Sequence, residues 1–189
     1  ATLQYKDVAR KIAKLHILFE HAGLKPGDKV ALCGRNSSAW AASFLAVLAY
    51  GAVVVPILHE FKAPQVHDIV NHSDARLLLV GDMVWPTLTP DEMPALEGIL
   101  FLPDFRLLVS RSQALTDARE NLNKYFGEKY PKYFRQEHIK YHAATNPDDL
   151  AIINYTSGTT SNSKGVLIPY RALWSNMDFA HQALGAYIK

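Results

Sequence analysis

Cysteine is almost absent from this sequence, since Cys33 is the only one among 189 residues. No internal disulfide can form, and we expect a reduced, cytoplasmic location. Long runs of one charge are also missing: no run of five Lys or Arg residues occurs, and the net charge is only +2. The charge therefore gives no reason to expect a nucleic-acid partner. Nothing in the sequence specifies an oligomeric state.

An initiator methionine and a signal-peptide pattern are lacking too, because the chain begins with Ala1 and continues with mixed polar residues. The last residues belong to a helical pattern with no closing element after it. We therefore expect the chain to be a fragment of a longer protein.

One long segment, residues 36–58, lacks charged side chains, and residues 39–58 are nearly all apolar. A membrane-spanning helix needs about 20 such residues. However, Gly51 interrupts this segment, and the residues after it are mostly β-branched and include a proline. We therefore predict a buried helix over residues 38–50 and a buried strand over residues 52–57, and no membrane span.

The remaining chain has ordinary globular composition, with 49% hydrophobic and 20% charged residues. Further helices are predicted over residues 5–22, 64–72, 115–125 and 170–188, and strands over residues 29–33, 76–80, 98–102, 106–109, 151–155 and 164–168. Residues 127–149 are expected to form loops and short helices. Short apolar strands that alternate with helices predict an α/β fold with a layered, mostly parallel sheet flanked by helices.

The segment with the clearest chemistry is YTSGTTSNSKG, residues 155–165. Backbone N–H groups of a glycine-containing turn, Ser and Thr hydroxyls and the mobile charge of Lys164 are the donors that a polyphosphate requires. A solvated Ser/Thr-rich turn would have a similar composition. Predicted strands on both sides anchor the loop in the sheet, which favours a functional, nucleotide-phosphate-binding loop.

This loop differs from the Walker A pattern GxxxxGK[ST], in which the lysine leads into a helix. Here Ser163 precedes Lys164, Gly165 follows it, and the chain continues as a predicted strand. A P-loop NTPase is therefore a poor alternative.

The loop resembles the signature YTSGTTGxPKGV of the adenylate-forming superfamily, which includes acyl- and aryl-CoA synthetases, luciferases and the adenylation domains of peptide synthetases. Residues 3–8, LQYKDV, are similar to the early TYxEL segment of that family. Residues 45–57, LAVLAYGAVVVPI, are similar to its segment that ends in AxxVPI. The order and spacing agree over essentially the whole chain, which identifies residues 1–189 as the N-terminal portion of the large domain of an AMP-forming ligase.

The resemblance implies a carboxylate, ATP and coenzyme A as substrates, with Mg²⁺ as the cofactor. The carboxylate attacks the α-phosphorus of ATP, and in CoA ligases the thiol then displaces AMP. The residues that the resemblance assigns to the β,γ-phosphates are Thr156, Ser157, Gly158, Thr159, Thr160 and Lys164, and Thr156 is also a possible Mg²⁺ contact. The catalytic residues are expected downstream of Lys189, so we expect the isolated chain to be inactive and to bind ATP weakly.

Within the family, the opening segment and residues 34–40, GRNSSAW, look most like fatty acyl-CoA ligases, and a long-chain fatty acid is the expected substrate. An aryl or amino acid adenylation module, a non-catalytic ATP-binding module and a self-association domain are the alternatives.

Three residues depart from the family pattern. Ser161 replaces a glycine, and this substitution costs about 1 to 2 kcal/mol of stability if the position needs a positive φ. Ser163 replaces a proline. Tyr170 stands where many relatives have histidine.

Other candidate residues have simpler interpretations. His138 and His142 are spaced to share a helix face, as metal-binding pairs do, but no third ligand is spaced to join them, and we expect no metal there. The three tryptophans are expected to pack in the core or at its edge; they are Trp40, Trp85 and Trp174. Cys33 ends an apolar strand and is expected to be buried and inert.

Overall fold

The computed structural model describes residues 4–142, 146–156 and 164–185. Its described residues contain a single sheet of seven strands in the order β5-β4-β3-β1-β2-β6-β7. The strands are β1 Lys29–Cys33, β2 Val53–Ile57, β3 Ala75–Val80, β4 Gly98–Phe101, β5 Leu107–Ser110, β6 Leu150–Thr156 and β7 Lys164–Pro169. All inner pairs are parallel, and the two edge strands, β5 and β7, each pair antiparallel with their neighbour. The predicted α/β fold with a mostly parallel sheet is confirmed.

Helices cover both faces of this sheet. They are α1 Tyr5–His21, α2 Ser38–Tyr50, α3 Ala63–His72, α4 Gln113–Glu120, α5 Leu122–Lys129 and α6 Tyr170–Leu184. Successive residues of β1 point to opposite faces: Leu32 packs in a cluster with Phe19 and Val47 on the α1 and α2 side. Cys33 packs with Ile69 on the α3 side. A sheet covered on both faces explains the nearly continuous apolar character of its inner strands.

The uncharged segment forms a helix followed by a strand, as predicted. The Ser37 hydroxyl accepts a hydrogen bond of 3.1 Å from the backbone N–H of Trp40 and so caps the start of α2. Gly51 ends α2 with a φ of +87°, a left-handed backbone conformation that residues with a side chain rarely adopt. Among the described residues, no helix is long and apolar enough to cross a membrane.

The helix predicted over residues 115–125 is confirmed except at Asn121, which divides this stretch into α4 and α5. The Asn121 side-chain amide donates a hydrogen bond of 3.0 Å to the backbone oxygen of Asp117. Asparagine competes for backbone groups in this way and favours helix ends. The apolar periodicity continues across the break, since Leu115 and Leu122 are buried in the same cluster, and periodicity alone therefore gave one helix.

Candidate nucleotide-phosphate site

The loop that carries the predicted chemistry closes a β-hairpin. β6 and β7 pair antiparallel, with Tyr155 opposite Gly165 and Thr156 opposite Lys164. The prediction that strands anchor the loop at both ends is therefore confirmed, and Thr156 and Lys164 are its two exposed ends. Four predicted phosphate ligands lie outside the described residues, and their role stays a prediction; they are Ser157, Gly158, Thr159 and Thr160. Ser161 and Ser163 lie outside them as well.

The hairpin opens at the carboxyl end of the parallel strands. β6 runs parallel to β2, with Ile152 opposite Val54, so Thr156 lies at the end where all the parallel strands finish. A cavity of about 360 Å³ opens at the same edge, where the connections after β1 and β3 diverge, and Arg35 and Gly81 line it. In α/β sheets, ligands bind outside the carboxyl ends of the strands, at such points of divergence. This edge is therefore the candidate ligand-binding edge.

Gly165, the glycine after the motif lysine, is required by close packing. A Cβ atom at this position would lie 2.8 Å from Cγ2 of Ile153 and 3.2 Å from Cζ of Tyr155. Ile153 and Tyr155 are both buried on the α3 side of β6. The glycine thus lets the two strands approach each other where the loop leaves the sheet, and this fixes the starting position of Lys164.

Tyr155, the first residue of the motif, is fixed by a contact that sequence analysis missed. Its hydroxyl is hydrogen-bonded to Nδ1 of His72 at 2.6 Å, and the two rings meet edge to face. Burial, together with the nearby charge of Asp74, raises the pKa of Tyr155. His72 lies 83 positions away in sequence, at the end of α3. No local pattern marks such a long-range pair, which connects the motif strand to the helix layer.

Tyr170, which replaces the histidine of many relatives, has a structural role. Its hydroxyl donates a hydrogen bond of 2.7 Å to the backbone oxygen of Leu48 in α2. Burial, together with Asp149, raises its pKa to about 12, so the hydroxyl stays protonated. The backbone N–H of Tyr170 donates to the oxygen of Asp149 at 3.0 Å. The turn at Asp148 and Asp149 therefore meets the start of α6.

The rest of α6 and β7 exposes large apolar side chains on more than one side. The prediction that Trp174 packs in the core or at its edge is wrong, since its side chain is 71% exposed. Other large apolar side chains of these two elements are also exposed; they are Val166, Leu167, Met177 and Phe179. The helical periodicity of α6 is real, but only its first turns reach the core, where Leu173 packs. We call these five exposed residues together the β7–α6 face, of which Val166 and Leu167 lie on opposite sides of β7.

Metal ligands are sparse in the described part of the chain. No group of three His, Cys, Asp or Glu side chains that could hold a metal ion occurs there. His138 ends a short 3-10 helix that does not extend to His142, so the two do not share a helix face. Among the described residues next to the loop, Thr156 offers a hydroxyl oxygen. Mg²⁺ commonly takes few protein ligands and completes its shell with phosphate oxygens and water, so Thr156 suits a nucleotide-borne Mg²⁺ but no dedicated metal site.

The remaining predictions on single residues agree with the structure. Cys33 is fully buried, and burial raises the pKa of its thiol to about 12, which agrees with an inert side chain. Trp40 and Trp85 are partly buried against the two clusters, as predicted.

A further cavity, of about 370 Å³, lies between α1 and residues 138–142, and none of its lining residues comes from β6 or β7. Its position separates it from the hairpin.

Comparison with known proteins agrees with the motif and the fold. The sequence model of the AMP-binding enzyme family matches residues 1–187. The chain is 27% identical over 190 residues to long-chain-fatty-acid–CoA ligase 5 of Rattus norvegicus, with 93% of this chain and 26% of that protein covered. It is 30% identical over 179 residues to the fatty acid–[acyl-carrier-protein] ligase ScoC of Streptomyces coeruleorubidus, which covers 94% of this chain and 30% of that protein.

A solved structure shows the same fold. It is the fatty acyl-adenylate ligase from L. pneumophila in complex with acyl adenylate and pyrophosphate, with a TM-score of 0.69 and 20% identity over 98% of this chain and 28% of that one. The chain spans between a quarter and a third of the length of these proteins. With the hairpin motif and the sheet order, the match over residues 1–187 shows that the chain belongs to the AMP-binding enzyme family, the adenylate-forming superfamily.

Proposed function

We propose that this chain supplies the phosphate-binding wall of an ATP-dependent, AMP-forming acid–CoA ligase. The observation that carries the proposal is the hairpin, which sets Thr156 and Lys164 opposite each other at the carboxyl edge of the sheet. The residues between them, 157–163, contribute five hydroxyl side chains and one glycine in sequence. Hydroxyl and backbone N–H donors are what a polyphosphate group requires.

The chemistry of adenylate formation explains why such donors are needed. A carboxylate is a poor acyl donor because its two oxygens share the negative charge, and its attack on the α-phosphorus of ATP releases pyrophosphate. Negative charge then grows on the β,γ-phosphates. The Lys164 ammonium group and the loop hydroxyls stabilise this charge, and donors held in place by a sheet need little rearrangement to do so. Mg²⁺, when bound with the nucleotide, would neutralise part of the same charge, and Thr156 is the residue here that would contact it.

A fatty acid is the proposed carboxylate. The rat and Streptomyces relatives both carry fatty acid in their names, although one transfers to CoA and the other to an acyl carrier protein. The acyl acceptor is therefore proposed as CoA, with a carrier protein as the alternative. Adenylation of an aryl or amino acid, or ATP binding without catalysis, would use the same hairpin.

The chain is proposed to be the N-terminal portion of the large domain of such a ligase. Two observations support this: it spans about a quarter to a third of its relatives, and the β7–α6 face leaves five large apolar side chains exposed next to the hairpin. Large exposed apolar patches mark interfaces. The acyl pocket, the remaining nucleotide contacts and the catalytic residues are then expected in the rest of the ligase.

Titration of Mg·ATP into the purified chain tests the phosphate role. Lys164→Ala removes a charged donor, so we expect it to weaken binding roughly tenfold to a hundredfold, from about 1.5 to 3 kcal/mol per charged hydrogen bond. Lys124→Ala, an exposed lysine on α5, is the matched control and should bind like wild type. Equal affinities of the two variants would contradict the proposal. With a fatty acid and ATP added, we expect the isolated chain to release no pyrophosphate. Release of pyrophosphate would contradict the proposal that the catalytic residues lie in the rest of the ligase.

A further inference from the structure

The segment from α5 to the end of the short 3-10 region is unusually basic. Residues 124–142 hold five Lys or Arg residues and two Glu residues, a net charge of +3, whereas the whole chain carries only +2. The segment also contains two histidines and several aromatic residues. Positive charge is therefore concentrated in this part of the chain, and the remainder is slightly acidic.

This segment borders α1 at two places. At the first, Lys6 and Arg10 of α1 line the same groove as Phe134 and Arg135. At the second, Lys140 and Tyr141 line a cavity together with His16 and Glu20 of α1. We call the basic face the set of exposed residues Lys6, Arg10, Lys132, Tyr133, Arg135, Lys140 and Tyr141.

The cations of the basic face lack ion pairs. In the described ranges, no carboxylate lies within 4.0 Å of any of the five Lys and Arg residues of this face. The nearby acids are engaged or few: Glu20 is bonded to Lys129 at 2.6 Å, and Asp7 accepts a hydrogen bond from the backbone N–H of Gln4. Glu137 is the acid in the groove itself.

Further cations lie close to Lys14 on α1. Burial lowers the pKa of its ammonium group, and the neighbouring charges of Arg10, Arg119 and Lys11 lower it further. Of these cations, Arg10 belongs to the basic face, and the others extend the positive charge around α1. A surface of this kind attracts an anionic partner over a distance of about one Debye length.

Two exposed tyrosines distinguish the basic face from an ordinary charged surface. Tyr133 is 57% exposed and Tyr141 is 62% exposed. The Arg135 guanidinium lies 4.8 Å from the centre of the Tyr133 ring, so the cation and the ring are presented together. Tyrosine rings flanked by Lys and Arg are favoured at the interface between lipid headgroups and water, where the ring is partly buried and the charge meets phosphate.

The segment that carries Tyr133 and Arg135 is supported by a packed aromatic cluster. Phe126, Tyr130 and Phe134 pack with ring centroids 5.0 to 5.5 Å apart, and His138 stacks on Tyr130 at 5.4 Å. Below them, Ile139 is buried in the cluster that α1 shares with the sheet. Because this aromatic cluster holds the backbone, little entropy is lost when the exposed side chains meet a flat partner.

We propose that the basic face docks the protein on the surface of an anionic lipid bilayer. The unpaired cations match the negative headgroups, and Tyr133 and Tyr141 enter the interfacial layer beside them. Single-stranded or duplex nucleic acid is the less suitable partner, because the exposed rings flank the cations at two separate places and form no stacking row. This surface function stands apart from the phosphate hairpin and does not depend on it.

Co-sedimentation with vesicles tests the proposal. The chain should bind vesicles of phosphatidylcholine with phosphatidylglycerol, bind pure phosphatidylcholine far less, and dissociate at about 1 M salt, where the Debye length is about 3 Å. Lys132→Glu should weaken binding at least about fivefold, since each cation near an anionic surface contributes about that factor. Lys132→Arg should restore binding, and Lys62→Glu, an equal charge change on an exposed residue at the start of α3, should have no effect. Circular dichroism of each variant establishes that it is folded.

Three results would overturn the proposal. The first is equal binding to neutral and anionic vesicles, or to neither. The second is an equal loss for Lys132→Glu and Lys62→Glu, which would show that net charge alone matters. The third is release of the protein from anionic vesicles by RNA or polyglutamate at a lower concentration than free phosphatidylglycerol vesicles require, which would assign the face to an acidic polymer.

Replacing both exposed tyrosines, Tyr133→Ala with Tyr141→Ala, should weaken vesicle binding without changing its salt dependence.

Discussion

Gly165 shows how one residue sets the geometry of the candidate site. It lies opposite Tyr155 in the hairpin, and the Ile153 side chain occupies the space where its Cβ would be. The glycine of the motif is therefore explained by strand packing, whereas Lys164 beside it points its charge to solvent at the loop. Adjacent motif residues thus serve different purposes: one holds the strands together, and the other is available for a ligand.

Replacing Gly165 with alanine should destabilise the protein by about 1 to 3 kcal/mol, because the added methyl group overpacks against Ile153. Gly127→Ala is the matched control. Nothing lies within 4 Å of a Cβ at that position in α5, so the change should be neutral or stabilising by about 0.5 to 1 kcal/mol. Urea unfolding measures both. A Gly165→Ala variant as stable as wild type would show that the strands separate readily at this point.

Residue identity predicted some of these details and missed others. Gly51 after the uncharged segment is a local signal of a helix end, and the helix predicted over residues 38–50 has the bounds of α2. The Tyr155–His72 hydrogen bond depends on the placement of α3 against β6, and the exposure of Trp174 depends on what lies beyond the first turns of α6. Tertiary placement of this kind leaves no signal in a short window of sequence.

At the scale of elements, α1 and α2 are joined by a histidine. Nε2 of His16 lies 2.9 Å from the backbone oxygen of Ala46, and because a carbonyl only accepts, the ring must donate from Nε2. Burial lowers the pKa of His16 from its usual 6.5, and Lys129 lowers it further, although the hydrogen bond to Ala46 and the charge of Glu20 act in the opposite direction. The neutral ring is therefore the form that fits between the helices.

This contact predicts a pH dependence of stability. Between the lowered pKa of folded His16 and its usual value of 6.5, the unfolded chain binds more protons than the folded one. The free energy of unfolding therefore rises with pH across this window and falls as the pH drops below the usual value. His16→Gln should lose this part of the dependence, measured as unfolding free energy from about pH 5 to pH 7.5. Identical pH profiles for wild type and variant would contradict the assignment.

The order and type of the elements followed from periodicity and turn residues. Apolar runs of five or so residues gave β1, β3 and β6, because strands buried on both faces need no polar alternation. The pairing of β6 with β2 and the antiparallel return of β7 could not be derived in this way, since they depend on which strands meet in space. That pairing turns a loop between two strands into a hairpin with Thr156 opposite Lys164, and so it decides the geometry of the site.

At the scale of the whole molecule, the described residues leave large apolar side chains uncovered in β7 and α6, the β7–α6 face. Most large apolar side chains of the inner strands are instead buried in two clusters, one on each side of the sheet. On this face, Leu167, Trp174 and Phe179 are each more than half exposed. The face lies beside the hairpin, and the chain spans only part of the length of its relatives. The rest of a longer ligase is therefore the proposed cover, and it would bring further ligands towards the loop.

Quenching of tryptophan fluorescence tests whether the rest of the ligase covers the β7–α6 face. In a chain with Trp40→Phe and Trp85→Phe, the emission reports on Trp174, whose side chain is 71% exposed, and iodide should quench it strongly. The same two substitutions in a ligase of full length should leave Trp174 protected, because the apolar face is then buried. Equal quenching in both proteins would mean that the β7–α6 face stays exposed and serves another purpose.

The central claim is that the β6–β7 hairpin binds the β,γ-phosphates of ATP, and backbone amide chemical shifts test it most directly. On addition of Mg·ATP to the labelled chain, the amides of Thr156 and Lys164 should shift together with those of the loop between them, and AMP at the same concentration should shift them little. Inorganic pyrophosphate should reproduce the ATP pattern. Equal shifts with ATP and AMP, or ATP-induced shifts confined to the cavity beside α1, would contradict the account.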